Sequence, residues 1–240
     1  MKKIIAICLG GVIGISLLAG CKRSPHSDHS TAAGNELIAT HQAAPLDLAS
    51  NYTTPVSRFD KITQFPAWKT VPRGPQVFDG VPLDIEGMIC LWGEGNATKL
   101  HIVFPEARLG IALHQKFATL YVYHGSFFNS PKGTPVCNVV FRYADGSSAT
   151  NTLRYGEDIL DWVANRDGKP VVGPTGEHSR LAWVGGSFSP TKQEPLRLCL
   201  TAVENAQPEV EVATVDLFSC KSYTAACIMA MTPGKSGLMK

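Results

Sequence analysis

The stretch VCNVVFRYADGSSATNTLRY, from Val136 to Tyr155, carries the clearest evidence for the fold class. Its first half alternates with the two-residue period of a strand, so one face is apolar throughout. The residues of that face are Cys137, Val139, Phe141 and Tyr143. Asp145-Gly146 then separates this run from a second one, and such a dipeptide between two runs indicates a tight hairpin. We therefore predict two antiparallel strands with one buried face.

Short apolar stretches separated by turn residues continue on both sides of this hairpin, from about Phe65 onward. The predicted strands are Gln76–Phe78, Val81–Ile85, Met88–Leu91, Lys99–Val103, Ala118–Tyr123, Val136–Tyr143, Ser148–Tyr155, Arg180–Val184, Leu196–Ala202, Val210–Phe218 and Ala225–Met231. One segment, Gly156–Val163, has the spacing of a single helical turn. Many strands without intervening helices predict an all-β fold, and we expect an antiparallel β-sandwich over residues 65–240.

The amino terminus has the organisation of an export signal. Lys2 and Lys3 precede an apolar run of about fifteen residues, which is shorter than the roughly twenty that span a bilayer. The run ends in Leu17-Leu18-Ala19-Gly20-Cys21, which resembles the bacterial lipobox. This resemblance implies that residues 1–20 are a signal peptide and that Cys21 receives acyl chains that anchor the protein in a membrane. Lys22, in place of Asp, implies the outer membrane where the host has one.

Residues 21–64 are rich in small and polar side chains and poor in bulky apolar ones, which is typical of a disordered tether. Without Lys2 and Lys3, the 22 basic residues of the chain fall to 20, equal to the 20 acidic residues. A mature chain without net charge and without a basic stripe is not expected to bind nucleic acid.

Seven cysteines are present, of which five belong to the predicted sandwich. Cys220 and Cys227 are separated by only KSYTAA, a length that suits a loop between two strands, so this pair is the predicted disulfide. The remaining three lie in apolar strand-like runs and are expected to be small buried side chains. They are Cys90, Cys137 and Cys199.

Five segments in a fixed order resemble the galactose-binding-like jelly-roll domains attached to secreted bacterial hydrolases and lipoproteins. They are VPRGPQVFDGVPLDIEG (Val71–Gly87), ATLYVYHGSF (Ala118–Phe127), VVFRYADGSS (Val139–Ser148), RYGEDILDW (Arg154–Trp162) and RLAWVGG (Arg180–Gly186). The sequence departs from such domains where Gly186-Ser187 replaces the Asn-Pro that often follows the tryptophan segment. The resemblance implies a jelly roll that binds carbohydrate through loops at one end of the sandwich.

Two acidic residues, Asp158 and Asp161, would lie on one face of the predicted helical turn. They can cap that turn, hold a structural calcium ion with backbone carbonyls, or act as the acids of a glycosidase. His124 follows an aromatic strand and is a candidate ligand donor or catalytic group. Motifs of other hydrolases, such as G-x-S-x-G or H-E-x-x-H, do not occur in the sequence.

Two of the four tryptophans are followed by polar loops, as expected of platforms for a sugar ring. These are Trp92 and Trp162, the latter followed by Asn165 and Arg166. Trp183 is expected in the core and Trp68 at the entry to the fold. The predicted function is non-catalytic binding of a glycan or another polar polymer. An assembly module that contacts an envelope protein is the alternative, followed by a polysaccharide hydrolase or lyase that uses Asp158, Asp161 and His124.

Overall fold

The computed structural model describes residues 43–58, 66–164, 170–186 and 195–239. The chain divides into two units, residues 1–39 and residues 40–240, and every described residue belongs to the second unit. The predicted signal peptide and the candidates Cys21, Asn165 and Arg166 lie outside the described residues.

Antiparallel strand pairs build the described part of the chain. The strands are β1 (Thr54–Pro55), β2 (Gly74–Phe78), β3 (Val81–Ile85), β4 (Gly87–Cys90), β5 (Ala107–Gln115), β6 (Thr119–Phe127), β7 (Pro135–Tyr143), β8 (Ser148–Arg154), β9 (Ser179–Gly185), β10 (Leu196–Glu204), β11 (Val212–Ser219) and β12 (Ala225–Gly234). They form a six-stranded sheet in the order β1-β4-β12-β6-β10-β9, a four-stranded sheet in the order β5-β11-β7-β8, and the hairpin β2-β3. Short helical segments occupy Val56–Arg58, Pro66–Thr70 and Asn96–Leu100. The predicted all-β antiparallel sandwich is confirmed.

The hairpin predicted around Asp145-Gly146 is formed by β7 and β8, with Arg142 opposite Ser148 next to the turn. The Asp145 carboxylate accepts hydrogen bonds from the Ser147 amide at 2.8 Å and the Ser147 hydroxyl at 2.7 Å. Gly146 has a φ of 86°, which is accessible to glycine at little cost. The sequence signal for the turn therefore reflects its backbone geometry.

Replacement of Gly146 by alanine is expected to destabilise the fold by about 1–2 kcal/mol, because an L residue resists this left-handed conformation. A Cβ at Gly146 would meet no atom within 4 Å, so the loss would be conformational rather than steric. Urea denaturation measures the change, with Ser148→Ala on the neighbouring strand as a control expected to stay within about 0.5 kcal/mol of the parent. Equal stability of the parent and Gly146→Ala would contradict the left-handed turn.

The main core lies between the six-stranded and four-stranded sheets. The predicted apolar face of β7 points into it, and Cys137, Val139 and Phe141 are fully buried there. Phe141 packs edge-on against Phe117, with ring centroids 5.4 Å apart. The two sheets are thus the two layers of a sandwich.

A second core covers the opposite face of the six-stranded sheet. The hairpin β2-β3 contributes Leu83 and the segment after residue 66 contributes Trp68, and both side chains pack on that face. Every residue of β6 and of β12 is therefore buried. A strand covered on both faces needs apolar residues without alternation, as in the AACIMAM segment that begins β12.

The predicted tether is wrong over residues 43–58, which belong to the folded unit. Leu48 is buried in the main core. The Leu46 amide donates to the Met231 carbonyl at 2.8 Å, and β1 pairs with β4. A few anchoring contacts thus order a segment whose average composition is polar, so the folded domain begins well before residue 65.

Candidate functional site

Three loops that connect the two sheets meet at one end of the sandwich. They comprise residues 91–106, 128–134 and 220–224, and we call them the loop end. Backbone hydrogen bonds join the first loop to the third, from the Glu94 amide to the Ser222 carbonyl at 3.0 Å and from the Gly95 amide to the Tyr223 carbonyl at 2.9 Å. Ser130 and Thr224, with their hydroxyls 2.6 Å apart, join the second loop to the third.

Each loop of this end carries one half-buried aromatic side chain, namely Trp92, Phe128 and Tyr223. The Phe128 and Tyr223 rings lie 5.4 Å apart at an interplanar angle of 58°. The backbone of Trp92 is held on both sides, because its amide donates to the Pro105 carbonyl at 2.8 Å and its carbonyl accepts from the Ser219 hydroxyl at 2.7 Å. Trp92 was predicted from the sequence, whereas Phe128 and Tyr223 were not.

The backbone of all three loops includes a non-glycine residue in the left-handed region. The φ angles are 54° at His101, 61° at Phe128 and 56° at Lys221. Such conformations cost on the order of 1–3 kcal/mol each, persist only where the surroundings enforce them, and are concentrated at functional sites. Positive φ angles also occur at Asp79 in the β2-β3 turn and at His114 near the end of β5, so this feature is not confined to the loop end.

Asn96 lies beneath this surface with only 1% of its area exposed. Neither its amide nitrogen nor its amide oxygen has a hydrogen-bond partner among the described residues. Its neighbour Gly95 is in contact with the Tyr223 backbone. A buried amide normally finds a partner, so Asn96 is an exception, and at 1% exposure its side chain is not accessible to a ligand in the observed conformation.

The charges at the loop end nearly cancel. Its lysines are Lys99, Lys132 and Lys221, and its acidic residues are Glu94 and Glu106. Lys221 and Glu106 also pair with each other, with Nζ and Oε2 2.8 Å apart. This surface therefore lacks the strong field that would select a highly charged polymer.

Trp162, the second predicted platform, is in the second core and not at the surface. It is 3% exposed, and its ring centroid lies 4.5 Å from that of Trp68 and 3.8 Å from that of Phe127. Its interpretation as a ligand platform is wrong, because the segment carrying Trp68 covers it. Trp183, predicted in the core, is half-buried on β9, and Trp68 is fully buried.

His124 is completely buried in β6 and belongs to a chain of hydrogen bonds. Its Nε2 lies 2.8 Å from the Thr201 hydroxyl, which lies 2.8 Å from the Ser179 hydroxyl. Ser179 donates to the Asp158 carboxylate at 3.2 Å. If Thr201 donates its hydroxyl hydrogen to Ser179, and Ser179 donates its own to Asp158, then Nε2 of His124 must be the donor to Thr201. His124 is then the neutral Nε2–H tautomer.

Burial lowers the pKa of His124 from 6.5 to about 3. The imidazole is 0% exposed, and Thr201 and Ser179 are 3% and 5% exposed, so a substrate does not reach this chain in the observed conformation. The chain joins three strands and a turn through buried polar groups, which is a structural role, although His124 Nδ1 has no hydrogen-bond partner among the described residues. This geometry does not support the predicted roles of His124 as a ligand donor or a catalytic group.

The two predicted acids do not lie together on a helical face, because Gly156–Asp158 form a turn instead. The Asp158 carboxylate accepts from the Arg154 amide at 2.8 Å and from Ser179, whereas Asp161 is buried and accepts from the Val163 amide at 3.0 Å. The described residues contain no cluster of three or more metal-ligating side chains. Of the alternatives for these acids, the geometry supports the capping of a turn.

The cysteines of the described chain are all free thiols. The predicted bond between Cys220 and Cys227 is not formed. Cys227 instead lies against Cys90, with its thiol donating to the Cys90 sulfur at 3.2 Å. Cys220 follows β11 and its amide donates to the Val136 carbonyl at 3.0 Å, which places it beside β7.

No protein family, curated protein or solved structure matches this chain. The resemblance to galactose-binding-like domains therefore stays a prediction. Within the described part of the chain, no helix has the length and apolar character needed to cross a membrane.

Proposed function

We propose that the loop end binds an uncharged glycan or a similar polar polymer, and that the chain is an envelope lipoprotein anchored through Cys21. The single observation that carries the binding role is the set of three half-buried aromatic side chains on adjoining loops. These are Trp92, Phe128 and Tyr223.

The chemistry of a sugar suits this surface. The C–H faces of a pyranose pack on aromatic rings, and its hydroxyls need planar polar groups around them. Glu94 and Asn129 are exposed on the same loops and can meet the hydroxyls of a sugar. Because hydrogen bonds already hold the loops, little conformational entropy is lost when a ligand binds.

The Trp92→Ala variant of the full chain is expected to lose most of its retention on a glycan array and in an affinity gel. Truncation of an aromatic anchor costs about 2 kcal/mol, which corresponds to binding that is weaker by roughly thirtyfold. Trp183→Ala is the matched control, because Trp183 is also half-buried but lies on β9, three strands away from β12 in the sheet. Its retention should equal that of the parent.

Equal retention of Trp92→Ala and Trp183→Ala would exclude the loop end as the binding surface. A parent protein that no glycan retains would contradict the proposed function and favour the assembly module. Release of reducing ends or unsaturated sugars from a retained polymer would instead favour the hydrolase or lyase.

A further inference from the structure

Cys90 and Cys227 stand directly opposite each other on the neighbouring strands β4 and β12. The Leu91 amide donates to the Ala226 carbonyl at 3.0 Å, whereas the Cys90 amide points away from β12 and donates to the Thr53 hydroxyl at 2.9 Å. Cys90 and Cys227 are therefore a non-hydrogen-bonded pair of the ladder, the type in which Cα atoms are about 4.5 Å apart. That separation falls within the range of about 4.4–6.8 Å that a disulfide spans.

We propose that Cys90 and Cys227 form a disulfide when the chain folds in an oxidising environment. The reaction is thiol–disulfide exchange with a disulfide oxidant, such as that of an oxidoreductase or oxidised glutathione. One cysteine thiolate attacks the oxidant and releases its first thiol. The second cysteine then attacks the mixed disulfide and releases the second thiol, so that two protein thiols become one disulfide and the oxidant becomes two thiols.

The partition of the cysteines between the two cores favours this pair over the other partners that Cys90 or Cys227 could have. Cys90 and Cys227 both belong to the second core, whereas Cys137 and Cys199 belong to the main core on the other face of the six-stranded sheet. A bond across that sheet would require β12 to leave its place. Cys220 lies beside β7 in the four-stranded sheet, so its approach to Cys227 would separate β12 from β4.

Oxidation has to precede the closure of the β4–β12 ladder. Both thiols are 1% exposed in the folded chain, and an oxidant has no access to them there. Burial and the adjacent Cys90 thiol also raise the pKa of Cys227, which disfavours the attacking thiolate. The bond should therefore form quickly during refolding, form slowly in folded reduced protein, and resist reductant once it is made.

The full chain, reduced and denatured, is refolded with oxidised and reduced glutathione or with dithiothreitol alone. Alkylation of the remaining thiols and non-reducing peptide mass spectrometry then identify the linked peptides. The oxidised sample should contain Cys90 linked to Cys227, with a Tm on the order of 10 °C above that of the reduced sample. Cys220→Ala should keep the link, whereas Cys90→Ala should lose it.

A link between Cys220 and Cys227, or alkylation of both Cys90 and Cys227, would overturn the assignment. The same peptide analysis of chain exported with its own leader and alkylated at harvest gives a second measurement that does not depend on refolding or on variants. There, too, the expected species is the peptide pair containing Cys90 and Cys227. Two alkylated peptides in its place would exclude the bond.

Discussion

Replacement of Trp162 by alanine is expected to destabilise the protein by about 3–5 kcal/mol, the usual range for loss of a large aromatic side chain from a core. Trp162 is 3% exposed and lies between Trp68 and Phe127. The cavity would open where the segment after residue 66 covers the six-stranded sheet. Trp68 would also lose the ring that it contacts edge-on. We expect relaxation of the neighbouring side chains to fill little of the cavity.

Urea denaturation of the parent, Trp162→Ala and Trp92→Ala measures this effect. Trp92 provides the matched control, because it is half-buried on a loop and its truncation should change stability much less than that of Trp162. We thus expect the Trp162 substitution to lower stability and the Trp92 substitution to weaken binding. Unchanged stability in Trp162→Ala would mean that this ring does not lie in the core.

Acid is expected to weaken the fold through His124. Its pKa is about 3 in the folded chain and close to 6.5 when exposed, so the unfolded chain takes up the proton first as the pH falls. The stability linked to the neutral imidazole is complete above pH 6.5 and is lost as the pH falls toward 3, at about 1.4 kcal/mol per pH unit. Between pH 7 and pH 5 this amounts to about 2 kcal/mol.

The comparison of the parent with His124→Gln isolates this contribution, because the carboxylates titrate in both proteins and glutamine can still donate to Thr201. The parent should lose about 2 kcal/mol more than His124→Gln between pH 7 and pH 5 in urea denaturation. His178→Gln is the control for the loss of a histidine at an exposed position. An identical pH dependence of the parent and His124→Gln would show that His124 is not buried as a neutral ring.

Two predictions that depend on neighbouring residues alone were confirmed. Alternation in β7 and the Asp145-Gly146 turn are local properties of the backbone, and the structure contains both. The predicted strand Lys99–Val103 was wrong, because it overlaps the helical segment Asn96–Leu100 and then a loop in which Val103 is 74% exposed. Apolar residues in such a short run do not show whether a partner strand lies beside them.

The omission of β5 (Ala107–Gln115) has a different cause. Its pairing with β11 shifts register twice, and positive φ angles at Gly110 and His114 mark the irregularities. Each bulge interrupts the alternation of side chains from which a strand is predicted. The buried residues Ile111 and Leu113 therefore do not stand out in the sequence.

Local patterning alone was enough to establish that this chain folds as antiparallel strands in a sandwich, since strand period and turn chemistry act over a few residues. Only the tertiary structure decided which tryptophan lies in the core, which cysteine faces Cys227 and how deeply His124 is buried. Trp162 and Trp92 are each followed by a polar loop, but the Trp68 segment covers only the former, and Cys90 is 137 positions away from the cysteine that it contacts. The burial and the contacts of a side chain depend on which distant strands become neighbours in the sheets. The local spacing of residues in the sequence does not reveal the order of the strands.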